Sequence, residues 1–287
     1  MKWHFKPTAG IKNFTGEEGS RIAGEDPDYH VRDMFNAIAQ GNYPSWIVNI
    51  QVMDPKDAET VPYDIFDDTK IWPHKDYPLQ PIGKMTLNRN PSNYFQDVEQ
   101  AAFSPSTMVP GIGPSADIML QARMFSYPDA QRYRVGANYQ QLPCNAAHSS
   151  VYSPYQRDGP ARFDGNYGSD PDYVRSSFRP IKEIKPTDVS FNEWHGHVQQ
   201  YSSEVTDEDW VQPRELWRIF KEEKSDEDFI HNVSMHMSGA IKQVQDKAIE
   251  VWGKVDPEIS QRIRKTLDEH PKIKDADPNH IWTPSQS

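Results

Sequence analysis

Arg123-Met-Phe-Ser-Tyr-Pro-Asp-Ala-Gln-Arg-Tyr-Arg-Val-Gly136 is the stretch on which the reading of this chain turns. Arg123 and Tyr127 stand four residues apart, so on a helix they share one face, one turn from each other. A phenol beside a guanidinium gains a hydrogen bond and an opposite charge when it ionises. A phenolate is a ligand for a hard ferric ion, as at the axial position of some haems. Asp117, six residues before Arg123, falls near the predicted helix start, where it could hold the far side of the guanidinium. Arg132 and Arg134 supply planar forks for carboxylates such as haem propionates. Spacing alone also permits a plainer reading, a packed tyrosine with a solvated arginine neighbour.

The pattern Arg123-x-Phe125-x-Tyr127-Pro128-Asp129-x-x-Arg132-x-Arg134-x-Gly136 resembles the proximal haem-ligand signature of the monofunctional haem catalases, of the small-subunit eukaryotic type. Other stretches resemble the same family, in order. They are His4-Phe-Lys6, Gly10-Ile-Lys-Asn13, Asp33-Met-Phe-Asn-Ala-Ile-Ala39, Gly41-Asn-Tyr-Pro-Ser-Trp46, Trp72-Pro-His74, Leu87-Asn-Arg-Asn-Pro91, Phe103-Ser-Pro-Ser106 and Tyr155-Gln-Arg-Asp-Gly-Pro160. The resemblance runs from residue 2 to about 180, with a helical tail to about 270.

The resemblance implies a ferric haem and the dismutation of hydrogen peroxide to water and oxygen. It implies Tyr127 as the iron ligand, Arg123 as its hydrogen-bonding partner and Asp117 as the anchor of Arg123. Phe103 and Met119 would touch the porphyrin, and Arg134 would lie near a propionate. Gln131 departs from the His often found in the family at that position. NADPH is a second implied cofactor, with contacts at Lys6, Trp72, His74 and Gln212. Leu216 and Phe220, further along the same predicted helix, depart from the residues the resemblance leads one to expect there.

Family members carry a distal His and Asn in an N-terminal half, upstream of anything matched here. The resemblance therefore implies the C-terminal portion of a subunit, with little or no catalase activity alone. It also implies a homotetramer, or a complementing N-terminal half as partner. Two rival readings are a non-enzymatic haem-binding or subunit-assembly fragment, and a relative that rearranges fatty-acid hydroperoxides at a Tyr-ligated haem.

Composition narrows the alternatives. The formal net charge of −11 argues against nucleic acid or an anionic membrane as the main partner. A single cysteine, Cys144, excludes an intramolecular disulfide framework and a Cys-based zinc site. His195-Gly-His197 is the tightest histidine pair, but no third ligand is evident. No GxGxxG or GK[ST] phosphate loop occurs. No apolar run is long enough for a membrane span, and the N-terminus lacks a signal-peptide core. Pro284-Ser-Gln-Ser287 is not the Ser-Lys-Leu peroxisomal address. The expected location is intracellular, peroxisomal or cytoplasmic.

The expected fold class is α+β. Residues 1–90 are read as the later part of the family's antiparallel β-barrel, with a strand near His4–Lys6 followed by polar turns. A helix is predicted over Asp28–Gln40, closed by Gly41. Strands are predicted over Trp46–Met53 and Lys84–Asn88. In the former, Trp46, Val48, Ile50 and Val52 share one face, with Asn49 and Gln51 on the other. Half a barrel would leave an open edge and an uncovered apolar face. Residues 91–205 are a wrapping segment holding the haem helix at about 115–134, capped by Ser115. Pro128 either ends that helix or kinks it, and the family favours continuation. Residues 206–270 form a helical domain with a helix near Trp210–Phe220, one long helix over Asp226–Gly253 and a third started by Asp256-Pro257. Residues 271–287 are a loose tail.

Overall fold

A computed structural model describes residues 1–109, 111–148, 158–163, 165, 166, 168 and 204–270. The wrapping segment over 169–203, the His195–His197 pair and the tail over 271–287 lie outside the described residues. Two compact units are present. One comprises Met1–Ile65, Lys70–Asn88 and Gln200–Ser287, and the other Phe66–Thr69 and Arg89–Gln199.

In the first unit, β1 (Lys2–Pro7), β2 (Ser45–Gln51) and β3 (Gln80–Thr86) form an antiparallel sheet in the order β1-β2-β3. Trp3 pairs with Ile50 and Phe5 with Val48, while Trp46 pairs with Met85. The register shifts between Val48 and Asn49. β3 starts four residues earlier than predicted, because Pro81 and Gly83 disguise an exposed strand at the sheet edge, where a missing N–H is tolerated. Two helices separate β1 from β2, α1 (Gly16–Glu25) and α2 (Tyr29–Ala39). The first corrects the expectation of polar turns. Its start is written in Thr15-x-x-Glu18, a capping box in which each side chain satisfies the other's backbone N–H.

The two faces of β2 are as predicted in membership, but the polar face is the more deeply buried. Gln51 is 0% exposed and Asn49 is buried, whereas Trp46, Val48 and Ile50 are only half-buried. Burial of Gln51 is compensated because its amide is fully paired. Oε1 lies 2.8 Å from His4 Nε2, and Nε2 donates to the carbonyls of Trp72 (3.0 Å) and Tyr77 (2.5 Å).

The same unit holds α4 (Val211–Glu222), α5 (Asp226–Met237), α6 (Lys242–Val255) and α7 (Pro257–Glu269). The single helix predicted over Asp226–Gly253 is two, broken at Ser238-Gly239-Ala240. The break shifts the phase of the buried stripe. Ile249 and Val255 are buried on α6, whereas the predicted Val244 and Val251 are exposed. Asp256 caps α7 through the amide of Glu258 at 2.8 Å, with Pro257 in its first turn. Ile259, Ile263 and Leu267 then recur every four residues and pack with Trp217, Ile230, Ile249 and Val255. Each fully buried aliphatic side chain of this kind contributes about 1.5–3 kcal/mol.

The second unit is organised on α3 (Ile118–Arg134), which follows a π-helical turn at Phe95–Glu99. α3 continues through Pro128. Its cap is Asp117 rather than Ser115, with the carboxylate accepting from Met119 N (2.8 Å) and Leu120 N (3.3 Å). Two unpaired amides at a helix start are thereby satisfied. Gly136, at φ +136°, ends the helix in a conformation that a side chain would oppose.

Candidate functional site

Strong helix formers from Met119 to Met124 carry α3 into Pro128, and Arg132 and Arg134 close its last turn, where cations favour the helix dipole. Met119, Arg123, Tyr127 and Gln131 follow one another at one-turn intervals along this helix. Arg123 Nη2 donates to the Tyr127 hydroxyl at 3.2 Å, and the guanidinium carbon lies 5.1 Å from the ring centroid. The predicted pair is therefore formed by α3 itself. Asp117 is committed to the helix cap, and none of the described hydrogen bonds joins it to Arg123.

The last turn of α3 is tied to the arch over residues 99–103. Gln131 is 8% exposed and its Nε2 donates to the carbonyl of Phe103 at 3.1 Å. Arg134 Nε and Nη2 both donate to Gln131 Oε1, at 2.9 and 2.6 Å. Nη1 donates to the Glu99 carbonyl at 2.7 Å, and Nη2 also to that of Ala101 at 2.6 Å. Asn145 holds the arch from another side. Its Oδ1 accepts from Ala102 N at 2.8 Å, and Nδ2 donates to the carbonyls of Gln100 and Tyr139, both at 2.9 Å. Phe103 itself is 82% exposed at the end of this arch, and Met119 is exposed on α3. Arg132 pairs with Asp129 at 3.6 Å. Asn145 and the arch carbonyls carried no sequence signal, since a carbonyl partner can be any residue.

This donor set fits one side of a haem. It offers a phenol oxygen with a cationic hydrogen-bond donor for a hard ferric ion, and the same unit leaves the Phe103 and Met119 side chains uncovered for an apolar macrocycle. Among the described residues, no cluster of His, Cys, Asp and Glu could hold a metal ion in another way.

The residues read as a dinucleotide site lie in the first unit, where several of them are engaged by the protein itself. Gln212 donates from Nε2 to the carbonyl of Ile71 at 3.0 Å, and its Oε1 accepts from Ile71 N at 2.9 Å. Both ends of its amide are thus engaged by the backbone. Trp72 is buried beneath the Lys2 ammonium, which lies 5.1 Å from its ring centroid and donates to the Lys70 carbonyl at 3.0 Å. Lys70 is buried against Asp209 at 2.7 Å. That hydrogen bond first, and the backbone N–H of Thr206 second, hold the Asp209 carboxyl below the usual carboxylate range. His74 meets His4 edge-on, with ring centroids 5.6 Å apart. Lys6 is exposed on β1. Lys2 and Lys70 are therefore occupied within the protein, and Asp207, Glu208 and Asp209 lie in the first turn of the same helical segment.

A family model described as catalase matches residues 1–180, and one described as catalase-related immune-responsive matches residues 203–267. The chain is similar to the catalase of Schizosaccharomyces pombe, at 45% identity over 98% of this chain and 55% of the relative. It is similar to the peroxisomal catalase of Toxoplasma gondii, at 46% identity over 93% of this chain and 54% of the relative. Among solved structures, catalase A from Saccharomyces cerevisiae superposes with a TM-score of 0.87 at 42% identity, covering 92% of this chain and 56% of that one. The chain spans about half the length of the curated relatives it matches. With the Arg123–Tyr127 pair on its helix and matches along nearly the whole sequence, the chain belongs to the catalase family.

Proposed function

We propose that this chain supplies the proximal side of a haem site in an enzyme that converts hydrogen peroxide to water and oxygen. The observation that carries this reading is the Arg123–Tyr127 hydrogen bond on α3, at the positions the family signature marks. Ferric haem, when bound, supplies the redox centre for peroxide dismutation. Tyr127 is the oxygen ligand to the iron. Arg123 donates a charge-assisted hydrogen bond to that oxygen and orients the ring. Asp117 acts by fixing the start of α3. Phe103 and Met119 form the apolar seat of the macrocycle.

The three-stranded sheet is read as part of a larger barrel. The segment beyond Gly136 is read as a wrapping arm in a homo-oligomer. Segments 1–90, 91–205 and 206–270 are the corresponding divisions. The peroxisomal names among the relatives support a peroxisomal or cytoplasmic location. No helix among the described residues is long and apolar enough to cross a membrane.

Haemin titration of the purified chain tests the proposal, with Tyr127→Phe as control and oxygen release on peroxide followed in the same sample. A saturable Soret band that depends on Tyr127 is expected. Equal binding by both proteins would refute Tyr127 as ligand.

A further inference from the structure

Residues 100–103 give side-chain packing little to hold. Ala101 and Ala102 end at Cβ, and Phe103 is 82% exposed. The direction of the Phe103 ring is therefore set by the backbone that carries it. From α3, Gln131 binds the Phe103 carbonyl, and Arg134 binds those of Glu99 and Ala101. Arg134 is a cation, read above as the partner of a haem propionate. A charge-assisted bond to a carboxylate is stronger than one to a neutral carbonyl, so Arg134 divides between the arch and such a ligand.

Asn145 is not divided in this way. Its Oδ1 accepts from Ala102 N at 2.8 Å, and its Nδ2 donates to the carbonyls of Gln100 and Tyr139, both at 2.9 Å. The oxygen and both hydrogens of the amide are thus spent on neutral backbone groups. The residue is placed by a turn of its own, in which Asn145 N and Ala146 N both donate to the Leu142 carbonyl at 2.8 Å. Tyr139 is buried in the segment that leaves α3 after Gly136. The amide ties the arch to that segment.

We infer that Asn145 is a positioning residue of the haem site. It fixes the backbone of residues 100–102 and so sets the direction of Phe103, the aromatic part of the apolar seat, whichever acceptor Arg134 takes. This inference rests on the haem reading above. Aspartate has the same shape and keeps an acceptor for Ala102 N, but it sets a carboxylate against two carbonyl oxygens.

The test is a double-substitution cycle on the full chain, with haemin as the probe and the Tyr127-dependent Soret band as the signal. Asn145→Asp and Asn145→Ala are each expected to weaken haemin about tenfold, the scale of one net hydrogen bond. In a Phe103→Ala background the same substitutions should cost less than about twofold, because the ring they direct is gone. The rhombicity of the ferric electron paramagnetic resonance signal should change in Asn145→Asp, and should not change further once Phe103 is alanine. Without any haem, amide exchange at Ala102 should rise in Asn145→Asp while that of α3 stays as in the parent.

Equal losses of haemin affinity in both backgrounds would overturn the inference and leave Asn145 a residue of general stability. Unchanged affinity or an unchanged resonance signal in Asn145→Asp would overturn it too, as would an Ala102 amide that exchanges as in the parent. Absence of any Tyr127-dependent Soret band in the unmodified chain would instead remove the haem reading, and this inference with it.

Discussion

Gln212→Ala separates two meanings of one residue. As a ligand contact, Gln212 would matter only when a dinucleotide is present. In the structure it closes a two-bond ring with the backbone of Ile71, at 2.9 and 3.0 Å, and so joins α4 to the segment that follows Lys70. A net hydrogen bond contributes about 0.5–1.5 kcal/mol. Ile71 is exposed, so water can replace part of what is lost, and the lower half of the range applies. The expected cost is about 1–2 kcal/mol. For a chain of this size that lowers Tm by roughly 2–8 °C. The assay is thermal unfolding followed by tryptophan fluorescence, since Trp210 and Trp217 flank the substituted position on the same helical segment. It is run with and without NADPH in excess. The expected result is a lower Tm in the variant and no effect of NADPH on either protein. A variant that melts with the parent, together with a parent whose Tm rises with NADPH, would refute the argument that the amide is internally committed.

Ile263, at 0% exposure in the middle of α7, is expected to cost about 2–5 kcal/mol when changed to alanine, measured by urea unfolding. A loss below about 1 kcal/mol would mean that the site collapses around the cavity. Asp117→Ala should reduce stability by about 0.5–2 kcal/mol, with Asp117→Ser restoring most of it as an alternative cap. If Asp117 served Arg123 instead, serine would not rescue. Stability should also fall in acid. Arg262, through its hydrogen bond, holds the Asp226 carboxyl below the usual range, and Lys70 does the same for Asp209. These groups bind fewer protons folded than unfolded, so their contribution is complete above the unfolded value near ~4 and is lost as pH falls through the depressed folded values. Urea midpoints from pH 6 to pH 3 check this. Asp226→Asn should flatten the curve, and an unchanged slope would count against the pairing.

The helix α3 was legible because local rules decide it. Arg123 and Tyr127 are four residues apart on one element, and no long-range packing is needed to bring them together. The same is true of Asp256-Pro257 at the start of α7. The break at Gly239 was hidden because hydrophobic residues continue on both sides of it, and one extra residue of offset changes which of them are buried. Ser115 and Asp117 are both good caps by type, and only the backbone decides between them. The arch was unreadable for a different reason. Arg134 and Asn145 bind carbonyl oxygens, which every residue has, so no pattern marks their partners. Lys70 and Asp209 are 139 residues apart in sequence, and no periodicity links them. The inward polar face of β2 ran against the ordinary preference for apolar burial. It is explained by Gln51 only once Trp72 and Tyr77 are known to present their carbonyls to it.

The break between α5 and α6 has a mechanical meaning. An unsupported Gly in such a corner would act as a pivot. Here the Ser238 hydroxyl donates back to the Met235 carbonyl at 2.7 Å, and Gln245, a turn into α6, donates to the carbonyls of Met237 (3.2 Å) and Ala240 (2.8 Å). The carbonyls that a helix end leaves open are thereby stitched to the start of the next helix. The corner is a weld. It should carry force from one helix to the other without bending, and trypsin should leave the peptide bond after Lys242 intact until the whole helical unit comes apart.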